Sequence, residues 1–219
     1  MATRSYSQTC SIANFLDMLG GRWTLLIVRD LLIGPRRFKQ LLAGLPGIGT
    51  NLLAQRLKEL QSLGIVVRDR DEQHYVLTNI GQELEPVIVS MARWSLQHLA
   101  VDQQGKLNRD ELLVVAFRAA FTPPAADHPD EEYEFRIGAT HFVLEVNQGE
   151  LHSYLGSSAK PEFIFTTDST SFGAIVGGTL SIAQAEERQQ LQVLGSRDAL
   201  ARWLAMWNST PDSDRALND

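Results

Sequence analysis

The sequence contains one cysteine among its 219 residues, and this scarcity excludes two kinds of structure. A single cysteine cannot form an internal disulfide framework or a cysteine-rich zinc site. The five histidines are scattered without the spacing of metal ligands, and no nucleophile elbow, phosphate-binding P-loop or zinc-protease helix is present. We therefore expect no catalytic residues, no metal and no cofactor, and we do not expect an enzyme.

Long hydrophobic runs are also missing. The longest apolar stretches, at 24–28 and 31–34, are separated by Arg29 and Asp30. They are far shorter than the roughly 20 residues that a membrane-spanning helix needs. The first ten residues lack the apolar centre of a signal peptide. These absences predict a cytoplasmic protein with no membrane partner.

The net charge of −6 conceals two halves of opposite sign. Residues 1–100 carry eleven lysines and arginines against eight acidic residues, whereas residues 101–219 carry nine against eighteen. Within 22–70, nine basic residues accompany three acidic ones, a pattern that attracts phosphate backbones, although a solvated surface would give the same count. A polar stretch near 99–110 separates the halves, and we predict domains of 1–103 and 104–219.

The first half shows the residue pattern of a helix-turn-helix followed by a hairpin. Ile12, Phe15 and Leu19 recur at helical spacing, and Gly20 is expected to end that helix in the left-handed conformation. Further amphipathic segments follow, and the last, at 50–64, has leucines on one face. A charged hairpin comes next. This order predicts a winged helix-turn-helix.

In such a domain the second helix of the motif enters the major groove, which is about 12 Å wide. Thr50 can cap the first turn of this helix. Gln55 can read adenine, and Arg56 or Lys58 can read guanine or bind phosphate. The residues predicted to contact DNA lie before this helix, on it and in the hairpin. They are Arg36, Arg37, Lys39, Thr50, Asn51, Gln55, Arg56, Lys58, Arg68, Arg70 and His74.

An ordered series of motifs covers residues 10 to about 98: Cys10, LGGRWTLLI, GPRRF, LPGI, NLLAQRLKEL and YVLTNIG. This series resembles the winged-helix transcriptional regulators of the HxlR type, which are related to the MarR type. One departure is GIGTN, where that family often has serine followed by proline at the helix start. The resemblance implies a homodimer that binds a double-stranded DNA operator. It also implies that the first and last helices of the domain form the dimer contact.

The residues expected at the dimer interface come from the first helix and from a long helix at 79–99, which Pro86 should kink or interrupt. They are Ile12, Phe15, Leu19, Ile88, Met91 and Trp94. Packing onto the domain's own core would produce the same apolar pattern. Some members of the family that the chain resembles use a cysteine at this place to sense oxidants, so Cys10 is a candidate redox sensor. A small buried apolar side chain is the alternative for Cys10.

From residue 133 the pattern changes to strand alternation, with strands predicted at 142–146, 151–156, 162–167 and 191–195. Two helical segments lie between the last two strands, the first capped by Asp168, and an amphipathic helix follows. Glu131, Glu132 and Glu134 are expected in an acidic loop. The second domain is therefore predicted to be α+β with a mostly antiparallel sheet.

The order of these elements resembles the sterol-carrier-protein-like fold, which implies an apolar tunnel that holds a small ligand. The candidates for lining the tunnel are the aromatic residues of the second half. They are Phe142, Phe163, Phe165, Phe172, Trp203 and Trp207. Filling the hydrophobic core is the alternative for each of them.

Two hypotheses follow for function. The first is a homodimeric, sequence-specific transcriptional regulator whose second domain binds a small apolar ligand. The second is a carrier of a lipid or metabolite, in which the winged helix serves protein contacts.

Overall fold

A computed structural model describes residues 5–69, 71–99, 109–124 and 128–207. The chain forms two compact units, which divide between Arg109 and Asp110. The boundary predicted after residue 103 lies outside the described residues. No helix in the described ranges is long and apolar enough to cross a membrane.

The first unit combines helices with a small antiparallel sheet in the strand order β1, β3, β2. Its elements are α1 (Ser11–Leu19), α2 (Thr24–Leu32), β1 (Arg36–Arg37), α3 (Phe38–Gly44), α4 (Thr50–Ser62), β2 (Val66–Arg68), β3 (His74–Leu77), α5 (Asn79–Gln82) and α6 (Glu85–His98). This arrangement is the predicted winged helix-turn-helix, with α3 and α4 as the motif and β2 and β3 as the wing.

Three leucines on α4 explain why this helix forms and how it is oriented. Leu53, Leu57 and Leu60 are at most 1% exposed, so one face of α4 is buried in the core of the first unit. Because side chains three or four residues apart share a helix face, the residues between the leucines point away from this core, and Gln55 and Lys58 among them are exposed. The packing therefore determines which polar side chains α4 presents to solvent.

Three local predictions change at the ends of the helices. Gly20 is right-handed, with φ of −74°, and the left-handed residue of the α1–α2 turn is Trp23, with φ of +79°. Gly49 occupies the cap position of α4 without a side-chain hydrogen bond, so the capping role predicted for Thr50 is wrong. The predicted long helix is interrupted between α5 and α6. Pro86 lies in the first turn of α6, where a backbone N–H group has no partner within the helix, so the proline costs no helical hydrogen bond.

The second unit has a five-stranded sheet in the order β6, β5, β4, β7, β8. Neighbouring strands are antiparallel except for β4 and β7, which are parallel. A short 3-10 helix at Asp110–Leu112 precedes α7 (Leu113–Ala120), β4 (Glu131–Ile137), β5 (Thr140–Asn147), β6 (Glu150–Leu155), β7 (Phe163–Thr167), α8 (Ser169–Val176), α9 (Ile182–Glu187), β8 (Leu191–Gly195) and α10 (Arg197–Trp207). The predicted α+β class with a mostly antiparallel sheet is confirmed, and Asp168 caps α8 as expected.

The acidic loop predicted around residue 132 is wrong, because these glutamates belong to β4. Glu131 is 6% exposed and accepts hydrogen bonds from Arg202 and from the Tyr133 hydroxyl group, the latter at 2.6 Å. Glu134 is 1% exposed and accepts a hydrogen bond from Arg136 Nε at 2.8 Å. Buried carboxylates persist where such partners satisfy them. Arg202 is 71 residues away in sequence, whereas Tyr133 and Arg136 reach their glutamates only because β4 places residues two apart on one face.

Candidate nucleic-acid interface

The exposed face of α4 presents polar side chains to solvent. Asn51, Gln55 and Lys58 are exposed on this face, and Thr50 is exposed at its beginning. A helix of this kind offers amide and ammonium groups to base edges and phosphates when it enters a major groove. The structure thus brings four of the predicted DNA-contacting residues together on one helix.

Arg56 occupies a different environment from its exposed neighbours. Its side chain is 22% exposed, and its Nη1 atom donates a hydrogen bond of 2.6 Å to Glu59. The same glutamate accepts a hydrogen bond of 2.8 Å from Gln55. Burial raises the pKa of Glu59, but the hydrogen bonds from Arg56 and Gln55 outweigh it and lower the pKa below the usual value. Glu59 is therefore a carboxylate at neutral pH.

The paired strands β1 and β3 bring Arg37 and His74 together. Arg37 pairs with His74 in the register of β1 and β3, and Arg37 Nε donates a hydrogen bond of 3.0 Å to His74 Nε2. Arg68 donates a hydrogen bond to Gln73 and lies over the Tyr75 ring, with its Cζ atom 5.7 Å from the centroid. Sequence periodicity gave no sign of β1, because a two-residue strand shows no alternation.

Three more predicted DNA contacts have distinct positions. Lys39 is exposed on α3, in the first turn of that helix. Arg36 is half-buried on β1, and its Nε and Nη2 atoms are buried without a hydrogen-bond partner among the described residues. Arg70 lies outside the described residues.

The first unit also exposes large apolar side chains on α1 and α6. Ile12, Met91 and Trp94 are 71%, 52% and 57% exposed. By contrast, Leu19 and Ile88 are 5% and 7% exposed, so these two predicted interface residues pack within the first unit itself. Phe15 is half-buried. Exposed apolar surface of this kind marks interaction sites.

Cys10 is exposed at the beginning of α1. The backbone N–H groups of Ala13 and Ile12 lower the pKa of its thiol below the usual value, because they stabilise the thiolate. The alternative of a buried apolar cysteine is therefore not what the structure contains. The redox-sensing role stays a prediction.

In the second unit, the aromatic residues predicted to line a tunnel fill the core. Phe142, Phe163 and Phe165 are at most 1% exposed, and Trp203 is 6% exposed. Their rings all contact that of Phe135, which is stacked on Phe142 with centroids 5.3 Å apart and tilted against Trp203 with centroids 5.1 Å apart. Phe172 and Trp207 join the same cluster. These contacts are those expected for core packing.

A cleft with a volume of about 340 Å³ lies at the surface of the second unit beside α10. Its lining residues are Thr122, Pro123, Pro124, His128, Arg202, Ala205 and Met206. The His128 side chain is 8% exposed, and its Nδ1 atom is 2.7 Å from the Pro129 carbonyl oxygen. Because a carbonyl only accepts hydrogen bonds, Nδ1 carries a proton. The cleft therefore combines apolar walls with a hydroxyl group, an imidazole and a guanidinium group.

Comparison with known proteins agrees with the winged helix-turn-helix. The family profile described as HxlR-like helix-turn-helix matches residues 18–103. The chain is 39% identical over 87 residues to the uncharacterized HTH-type transcriptional regulator sll1512 of Synechocystis sp., and the match covers 37% of this chain and 64% of that protein. It is 37% identical over 87 residues to the uncharacterized HTH-type transcriptional regulator YvaP of Bacillus subtilis, covering 37% of this chain and 81% of YvaP.

A solution structure of palmitated SCP2L2 from Aedes aegypti also matches, with 18% identity and a TM-score of 0.35. That match covers 44% of this chain and 88% of SCP2L2, and a match at this level carries no functional conclusion.

The fold and the polar, exposed α4 define the first unit as a winged helix-turn-helix domain. The chain belongs to the HxlR family of helix-turn-helix transcriptional regulators.

Proposed function

We propose that this protein is a homodimeric transcriptional regulator that binds a specific DNA operator and responds to a small apolar ligand in its second unit. The observation that carries the DNA-binding part is the exposed polar face of α4 beside an arginine-containing wing. Lys58, Lys39 and Arg68 are exposed cations of this surface, and such groups neutralise phosphates.

DNA binding by this surface predicts a steep dependence on salt. The logarithm of the affinity for a duplex selected from a random pool should fall by about 0.9 for each neutralised phosphate per tenfold rise in salt. Replacing Lys58 with alanine should make that slope shallower by about 1 for each subunit of the dimer. Fluorescence anisotropy at several salt concentrations measures the slope.

Lys160→Ala provides the matched control, because Lys160 is an exposed lysine of the second unit. This variant should keep the original slope. An equal change in both variants would show that α4 does not supply the contact. If no duplex binds even at low salt, the proposal of a DNA-binding regulator fails and the carrier hypothesis gains support.

The cleft beside α10 supports the proposal of a small ligand, since it lies outside the filled aromatic core. Pockets that bind small molecules are mostly apolar with a few polar groups. Pro123, Pro124 and Met206 supply apolar walls here, whereas Thr122 and Arg202 supply polar groups. A compact aromatic ring with a hydroxyl group matches this lining.

The probe for this cleft is 4-propylphenol, titrated by calorimetry into the full chain. Replacing Ala205 with tryptophan should weaken its binding by at least about tenfold, or about 1.4 kcal/mol, because the indole occupies the cleft. Ala201→Trp is the control, since Ala201 is exposed on the same helix and does not line the cleft. Equal affinities for both variants would place the ligand elsewhere. Regulation additionally requires that the probe change operator affinity, and that DNA change probe affinity by the same factor.

A further inference from the structure

Glu59 on α4 accepts hydrogen bonds from Gln55 and Arg56, two residues that the sequence predicted to contact bases. Gln55 Nε2 donates to Glu59 Oε1 at 2.8 Å, and Arg56 Nη1 donates to Glu59 Oε2 at 2.6 Å. Each carboxylate oxygen therefore has one partner, from four and three residues earlier on the helix. These spacings place the three side chains beside one another.

The bond to Glu59 determines which way the Gln55 amide group is oriented. Only the amide nitrogen can donate to a carboxylate, so Nε2 must be the atom facing Glu59. A glutamine reads adenine by donating from Nε2 to N7 and accepting from N6 at Oε1. The bond to Glu59 uses one of the two hydrogens on Nε2, so the other hydrogen and the Oε1 atom remain for such a contact. Glu59 therefore holds the amide with its nitrogen toward the carboxylate, and a held amide loses less conformational freedom when it contacts a base.

Arg56 is held against the protein by the same carboxylate. Its Cζ atom lies 3.0 Å from the position that a Cβ atom on Gly21 would occupy, so the guanidinium group packs on the α1–α2 turn. Its Nε atom is buried. The guanidinium group thus contacts the first unit itself, and its side chain is 22% exposed. A Cβ atom on Gly21 would be in tight contact with Arg56 and with the Thr24 hydroxyl group, at 3.0 Å and 3.1 Å.

We infer that Glu59 is a specificity-determining positioning residue, which orients Gln55 toward adenine. The inference rests on the proposed DNA-binding function and adds to it the base that α4 prefers at one operator position.

The test measures base preference, which a merely structural role of Glu59 would leave unchanged. The full chain selects a duplex from a random pool, and competition binding then compares all four bases at each position. Gln55→Ala should abolish an adenine preference of about tenfold at one position. Glu59→Ala should reduce the same preference to the same level, and it should have no further effect on preference in the Gln55→Ala background.

Two further variants separate positioning from charge and folding. Glu59→Gln keeps an oxygen that accepts from Gln55, so it should retain the adenine preference. Asp71→Ala removes one exposed negative charge of the wing, and it should strengthen binding to all duplexes without changing preference. Thermal unfolding of each variant, followed by circular dichroism, confirms that the domain is folded.

An unchanged preference in folded Glu59→Ala would overturn the inference while leaving DNA binding intact. So would a change in preference that persists without Gln55. If the wild-type chain binds no duplex, the proposed function itself fails, and the inference fails with it.

Discussion

Replacing Asp30 with alanine is expected to destabilise the first unit by about 3–5 kcal/mol, the cost of breaking a buried ion pair by removing one partner. Asp30 lies on α2 and is 1% exposed. Its Oδ1 atom accepts a hydrogen bond of 2.7 Å from Arg29 Nη2, and its Oδ2 atom accepts one of 2.7 Å from Arg109 Nη1. The Arg109 side chain is only 9% exposed, so the substitution removes the carboxylate that balances the charge of a buried guanidinium group.

Urea unfolding monitored by hydrogen exchange of α2 and α3 measures this change, because it reports on the first unit separately from the second. Asp71→Ala is the control. Asp71 is exposed in the wing, and its loss should change the free energy of unfolding by no more than about 0.5 kcal/mol. Asp30→Asn keeps the shape of the side chain but not the charge. Equal stabilities of Asp30→Ala and Asp71→Ala would show that the ion pairs with Asp30 do not stabilise the unit.

The elements of this fold that the sequence predicts well are those with local, periodic patterns. The leucines of α4 recur at helical spacing, and the helix that they predicted at 50–64 is observed at Thr50–Ser62. Asp168 was predicted to cap α8, and its side chain accepts hydrogen bonds from the N–H groups of Thr170 and Ser171. Such patterns are readable because the atoms that interact lie within a few residues of each other.

The features that the sequence does not predict depend on partners from other elements. Glu131 looks like part of a charged loop until Arg202, from α10, is placed beside it. Arg56 was predicted to read guanine or bind phosphate, and the sequence gives no sign that its guanidinium group lies against the α1–α2 turn. In both cases the environment of a charged side chain depends on a contact distant in sequence. The residues that neighbour Glu131 and Arg56 in the sequence do not indicate these contacts.

Burial also divides the apolar residues of α6, which the sequence left between an interface and the domain's own core. Ile88 and the half-buried Ala92 and Ser95 lie on one face of the helix. Met91 and Trp94 lie on another and are more than half exposed. Because α6 has two apolar faces, the core interpretation is confirmed for Ile88, whereas the interface interpretation stays a prediction for Met91 and Trp94. The face with Ile88 packs in the core of the first unit, and the face with Met91 and Trp94 is exposed to solvent.

Replacing Trp94 with glutamate is therefore expected to dissociate the proposed homodimer. Val87, Met91 and Trp94 follow one another at steps of four and three residues, which places them along one stripe of α6. In a two-fold symmetric dimer each substitution occurs twice. Loss of a tryptophan that is buried in a dimer interface costs about 2 kcal/mol or more in each copy. The two copies together should therefore raise the dissociation constant of the dimer by about a thousandfold. Sedimentation velocity over a range of concentrations measures this change.

Val176→Glu is the matched control, because Val176 is a 67% exposed apolar residue on a helix of the second unit. It introduces the same charge at a comparable place outside the proposed interface, and it should leave the dimer intact. Since Trp94 is 57% exposed in the single chain, the Trp94→Glu monomer should keep the wild-type far-ultraviolet circular dichroism spectrum. The operator affinity of Trp94→Glu should fall together with dimerisation, because a monomer contacts only one half-site. A dimer that persists in this variant, or that is lost equally in Val176→Glu, would show that α6 does not form the interface.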